Sequence, residues 1–149
     1  MDTNLSPRQT QILKCLIEEY INTAEAVGSE GMVGGQAVDI ECQGRDIDLA
    51  TAEYINVHKS GALIAVSLRA GALLGGGSKK EVELLYRYGK VVGLLFQIVD
   101  DIMDRQGYAK VIGFSEARKE AESLLGRAKA ELVSFGSRGR TLAALADFV

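Results

Sequence analysis

Residues 78–104, SKKEVELLYRYGKVVGLLFQIVDDIMD, constrain the fold more than any other stretch of the chain. Ser78-Lys79-Lys80-Glu81 has the spacing of a capping box, in which a serine and a glutamate three residues on satisfy each other's backbone N–H groups, so a helix is expected to start there. From Leu84 to Val99 this helix is apolar almost all round. Such a helix has no face to offer to water and belongs at the centre of a bundle. Its far end carries Asp100, Asp101 and Asp104. Carboxylates there face the negative pole of the helix macrodipole, which costs stability unless something positive neutralises them.

The flanking sequence is also helical in pattern. Ser6-Pro7 is a helix start, with serine as N-cap and proline at the first helical position, and Gly28 ends a helix expected to run to about Ala26. Ile12, Leu13, Leu16, Ile17 and Tyr20 give it one buried face. A second helix is expected from about Glu30 to Cys42, and a third from Leu49 to Leu74, interrupted near Lys59-Ser60-Gly61. After Asp104, GYAKVIG is taken as a connection, followed by helices from Ser115 to about Phe135 and from Thr141 to Phe148. No strand is expected. The fold class is all-α, a single domain over residues 1–149.

Composition narrows the function. Lys and Arg total 17 against 20 Asp and Glu, a net charge of −3, and no basic stripe alternates with aromatics, so nucleic acid is not an expected partner. Cys15 and Cys42 do not form a disulfide framework, and a single histidine, His58, excludes a zinc site built from protein histidines. A reduced compartment fits. The greasiest run, Val91 to Val99, is too short to span a bilayer, and the first ten residues lack the layout of a signal peptide.

Three groups of residues could carry chemistry. Lys90, Gly93, Gln97, Asp101 and Asp104 fall on one stripe of the long helix, with Asp100 beside its end. Carboxylates so placed suit Mg²⁺, a hard cation that keeps several waters and bridges one or two carboxylates to phosphates; the ordinary alternative is a solvated helix end. Gln97 argues against that alternative, because an amide within an apolar run needs partners. Gln36 and Asp39 lie one turn apart beside Gly31, Gly34 and Gly35, which signal either close helix approach or room for a ligand. Lys59 and Ser60 could reach a phosphate, or Lys59 could be a surface lysine.

In this order, GMVGGQAVD, HKSGAL and GLLFQIVDDIMD resemble the C-terminal half of a trans-prenyl diphosphate synthase of the geranylgeranyl type, a likeness that runs from about Ala24 onward. The resemblance implies a helical bundle around a central cavity, a homodimer or heterodimer, and Mg²⁺-dependent joining of isopentenyl diphosphate to an allylic diphosphate, with geranylgeranyl diphosphate the expected product. By the same likeness, Asp100, Asp101 and Asp104 match the second aspartate-rich motif that holds Mg²⁺. Lys59 and Ser60 match a lysine–threonine pair on the allylic diphosphate. Gln36 and Asp39 line the cavity, and Phe96 and Gln97 lie near the homoallylic substrate. Lys59 and Asp100 are the residues expected to be catalytic, and the compartment is cytoplasm or plastid.

Two features depart from the family. Its first aspartate-rich motif and the arginines after it have no counterpart upstream, and its lysine-bearing loop of the type GKTxGKD is absent, since Arg105-Gln106 runs straight into Gly107-Tyr108. Both fall where the family has active-site loops, which points to missing segments. The alternative is a non-catalytic regulatory subunit of a heteromeric synthase.

Overall fold

The computed structural model describes residues 31–149; the helix expected between Ser6 and Ala26 lies outside them. The described chain runs as α1 (Met32–Cys42), α2 (Leu49–Asn56), a π-helical turn (Val57–Gly61), α3 (Ala62–Leu74), α4 (Lys79–Asp104), α5 (Gly107–Ile112), α6 (Phe114–Leu132), a 3₁₀ segment (Val133–Gly139) and α7 (Arg140–Phe148). There is no strand among the described residues. The all-α expectation therefore holds, with two differences of detail. The interruption at Lys59 is a widened turn within a continuous rod, and GYAKVIG is itself a short helix bounded by glycines at both ends, Gly107 and Gly113.

The 26-residue α4 organises the rest, packed between α3 and α6. Its start is the expected capping box: the Ser78 backbone N–H and hydroxyl both donate to Glu81 Oε2 at 2.8 Å, and the Glu81 N–H donates back to Ser78 Oγ at 3.3 Å. Arg138 adds a bond to Glu81 Oε1 at 2.8 Å. Two clusters form the core along α4. Tyr88 and Val92 pack with Ala128, Leu132 and Ala146, while Leu95 and Ile98 pack with Ala109, Ala117 and Leu124. Tyr88 is fully buried, and its hydroxyl finds a partner by donating to the Leu142 carbonyl at 2.6 Å.

The central position expected of Leu84 to Val99 is what α4 takes, with one face left open among the described residues. Phe96, Asp100 and Met103 follow one another down an exposed face, with Phe96 45% and Met103 76% accessible. Lys90 also stays outside, its ammonium 4.7 Å from the centre of the Tyr86 ring. A lysine stem on an apolar helix lowers its free energy by lying along an aromatic face with its charge in water.

Small residues let α3 and α4 touch backbone to backbone. A methyl group at Gly93 would collide with the Gly61 Cα, and one at Gly89 would lie 2.6 Å from the Ala65 Cα. Gly35 plays the same part for α1, since a methyl there would be 2.7 Å from the Lys59 backbone nitrogen. That decides the question the α1 glycines left open, for Gly35, in favour of close helix approach.

Gly93→Ala should destabilise the chain by about 1–3 kcal/mol in urea unfolding, because the obstacle is backbone and cannot rotate away. Gly126→Ala meets nothing within 4 Å in the middle of α6 and should instead stabilise by about 0.5–1 kcal/mol. The same sign for both would contradict the packing described. Acid should act through Glu81, whose carboxyl is lowered from 4.5 to about 2 by the Ser78 N–H, the Ser78 hydroxyl and Arg138, in that order. A depressed carboxyl stabilises above its unfolded value and loses that contribution as pH falls through the folded one. Melting temperature should therefore fall between pH 4.5 and 2 more steeply in the wild type than in Glu81→Gln.

Candidate active site

The π-helical turn presents the first part of the site. Widening by one residue at Val57–Gly61 keeps α2 and α3 in one rod while changing which side chains share a face, and such bulges recur at functional sites. His58 is tied back by donating from Nδ1 to the Tyr54 carbonyl at 2.8 Å and stacks on the Tyr54 ring with centroids 4.1 Å apart. It is an oriented neighbour and does not line the cavity. Lys59 does, and its ammonium forms a 2.7 Å ion pair with Asp39 Oδ2 from α1. Two motifs separated by twenty residues are thereby joined in one contact. Ser60 accepts a hydrogen bond from Gln97 Nε2 at 2.9 Å, which supplies the partner that the buried amide required.

The end of α4 supplies the second part. Asp100 and Asp101 both border a cavity of about 650 Å³, together with Asp39, Asn56, Lys59 and Gln97. Asp100 is exposed and has no hydrogen-bond or ion-pair partner among the described residues. Asp101 is 9% accessible, and its Oδ2 accepts the backbone N–H of Tyr108 at 2.8 Å and the side-chain amide of Asn56 at 3.3 Å. Burial pushes the Asp101 carboxyl up; the Tyr108 N–H and the Asn56 amide oppose the rise, Asp100 adds to it and Lys59 subtracts. Asp104 stands outside the cavity wall, exposed and 3.4 Å from Gln106 Nε2. Among the described residues no group of three His, Cys, Asp or Glu side chains lies close enough together to hold a metal by itself.

Gln36 and Phe96 also lie apart from the cavity wall. On a helix, neighbours in sequence point about 100° apart, so Gln97 facing the cavity carries Phe96 away from it. Three cations on the wall were not singled out from sequence: Arg45, Arg105 and Lys110. Arg105 follows DDIMD directly and adopts a left-handed conformation, φ 56°, while Lys110 pairs with Asp46 at 2.9 Å. Position after the aspartates was the one available signal for Arg105. Asn56 was missed as well, because nothing in INVHKS distinguishes a buried amide from an exposed one.

The donor set at the cavity suits a hard divalent cation. Its free oxygens are carboxylate, and Mg²⁺ needs only one or two of these when phosphate and water complete its octahedron. Cations on the same wall suit the phosphate.

The sequence profile of polyprenyl synthetases matches residues 8–117. The chain belongs to the polyprenyl synthetase family. Among members of the family, it is 40% identical over 147 residues to a chloroplastic geranylgeranyl pyrophosphate synthase of Capsicum annuum, covering 85% of this chain and 40% of that protein. It is 37% identical to large subunit 1 of a chloroplastic heterodimeric geranylgeranyl pyrophosphate synthase of Arabidopsis thaliana, covering 85% and 40%. The crystal structure of an FPP/GFPP synthase from Zymomonas mobilis superposes with a TM-score of 0.83 at 34% identity, covering 91% of this chain and 51% of that one. This polyprenyl synthetase chain therefore spans 40% of the two plant relatives and about half of the bacterial one.

The Lys59–Asp39 pair is about one-third exposed on each side, 31% and 30%, so it should hold the lysine in place without adding much stability. A double-mutant cycle on Lys59→Gln and Asp39→Asn, read by urea unfolding, should give a coupling of about 0.2–1 kcal/mol. A coupling of about 3 kcal/mol would make it a structural pair instead.

Proposed function

We propose that this chain supplies the diphosphate-binding half of an Mg²⁺-dependent prenyltransferase that joins isopentenyl diphosphate to an allylic diphosphate, with geranylgeranyl diphosphate as product. One observation carries the reading: Lys59 of the π-helical turn and Asp100 at the end of α4 border the same cavity. We assign Mg²⁺ to Asp100, with Asp101 beside it and Asp104 one turn further at the rim. Bound there with the diphosphate, Mg²⁺ would offset the negative charge that builds on the departing pyrophosphate.

The chain's own groups do the rest. Lys59, held by Asp39 at 2.7 Å, is pre-aimed and can exchange that carboxylate for a phosphate oxygen. Arg45, Arg105 and Lys110 provide further positive charge on the same wall. Fixed charges of this kind cost no reorganisation as the C–O bond of the allylic diphosphate breaks. Gln97 on the cavity wall has its amide satisfied by Ser60 behind it, and the apolar side of α4 would keep water from the electron-poor carbon. Gln36, on α1 with Asp39, and Phe96, beside Gln97, are assigned by the family resemblance to the prenyl-substrate side of the site, away from the diphosphate wall.

Pairing with a second subunit belongs to the proposal, and the heterodimeric Arabidopsis thaliana relative supports it. A non-catalytic subunit of such a pair is the second reading, for which the relative named as one subunit of a heterodimeric synthase is the support. The plant relatives named as chloroplastic favour a plastid compartment over the cytoplasm. No helix among the described residues is long and apolar enough to cross a membrane.

Asp100→Ala should lower Mg²⁺-dependent prenyl transfer by roughly 100-fold or more while leaving the melting temperature nearly unchanged, because Asp100 is exposed and has no partner among the described residues. Product formation from isopentenyl and allylic diphosphates, followed with and without added Mg²⁺, checks this. Full activity in the variant would remove the metal assignment. Activity that appears only when a catalytic partner is added, and is indifferent to Asp100, would establish the second reading.

A further inference from the structure

We propose that Asp101 is a positioning residue, whose carboxylate clamps the start of α5 to the end of α4 and so leaves Asp100 as the carboxylate that meets the metal. The inference rests on the diphosphate-binding reading for the role of Asp100; the clamp itself stands on geometry alone.

One oxygen of the Asp101 carboxylate is already engaged by protein. Oδ2 accepts two donors, the Tyr108 backbone N–H at 2.8 Å and the Asn56 amide at 3.3 Å. Asn56 is 2% accessible, so its amide is committed to this contact. Oδ1 faces the Gly107 backbone: a methyl at that position would lie 2.5 Å from Oδ1 and 2.6 Å from Oδ2. An Mg²⁺ ion needs its ligand oxygens at about 2.0–2.1 Å in an octahedron that includes several waters. Oδ2 already holds two protein donors, whereas the neighbouring Asp100 carboxylate has no partner among the described residues, so Asp100 is the better placed of the two to give an oxygen to such a shell.

The same residue also organises the turn. The Asp101 carbonyl accepts the N–H groups of both Arg105 and Gln106, the latter at 3.1 Å. Arg105 and Gly107 then take positive φ, 56° and 53°, which breaks the helical path between α4 and α5. Main chain and side chain of one aspartate therefore hold both ends of the turn between the two helices. The result fixes Arg105, Tyr108 and Lys110 on the cavity wall. Neighbouring Asp100, which shares the motif and the wall, makes none of these contacts.

The two roles separate with a conservative change. In Asp101→Asn the carboxamide oxygen can still accept both hydrogen bonds, but it has no charge to give a metal. Two measurements on the 149-residue chain are needed: hydrogen exchange at the Tyr108 amide, and calorimetric titration with inorganic pyrophosphate in MgCl₂. Tyr108 protection should change less than about threefold in Asp101→Asn and fall at least about tenfold in Asp101→Ala. Pyrophosphate affinity should fall about tenfold or more in Asp100→Asn but less than about threefold in Asp101→Asn.

Equal losses of affinity in Asp100→Asn and Asp101→Asn would overturn the inference and leave the diphosphate reading intact. Unchanged Tyr108 protection in Asp101→Ala would also overturn it. If Asp101→Ala does not fold, the affinity and protection of Asp101→Asn decide. If the wild-type chain takes up no pyrophosphate with Mg²⁺, the diphosphate reading fails, and the clamp is judged on Tyr108 exchange alone.

Discussion

The backbone contact between Gly93 and Gly61 is the constraint on which the rest depends. Helices normally meet through side chains, with axes 8–10 Å apart. Here two glycines remove that layer, and the π-helical turn is drawn against α4. The consequences run along both partners. One turn beyond Gly93, Gln97 comes within hydrogen-bond distance of Ser60, and a further turn brings Asp101 to Asn56. On the other side of the turn, Gly35 brings α1 in so that Asp39 can reach Lys59. The polar wall of the cavity is thus a product of close packing, and the hydrogen bonds follow from it.

The carboxylates at the end of α4 sit at the unfavourable pole of their own helix, and the structure compensates in two ways. Lys59 lies near enough to Asp101 to lower its carboxyl, acting against burial. The first turn of α5 points an N–H at the same group, so the exposed carbonyl end of one helix is met by the amide end of the next. Asp100 has no such partner among the described residues. An acid left uncompensated beside cations is what an incoming metal–phosphate pair would complete.

Helix order, the capping box and the α4 core were legible because they depend on local spacing. Ser78 and Glu81 need only each other, and apolar residues at helical period need only a neighbour. What could not be read was which member of a motif faces where. DDIMD looks like one unit, yet its three aspartates have three environments: exposed on the wall, buried in a clamp, and outside at the rim. Those differences come from α5, whose six residues carry too short a pattern to announce a helix. Phe96 shows the same limit, since its apolar character suggested burial and tertiary placement turned it outward. Asp39 and Lys59 were each visible as candidates, but their pairing required the fold.

The widened turn at Val57–Gly61 also sets a phase. An α-helix advances about 100° per residue, so one additional residue in a turn rotates everything after it relative to everything before. Asn56 and Lys59 on one side, and Gly61 and Ala65 on the other, can address the cavity and α4 together only with that offset present. Losing a single residue from the turn would leave a perfectly good helix. It would nonetheless swing Gly61 out of register with Gly93, so the bulge works as a splice that keeps two helical faces in step.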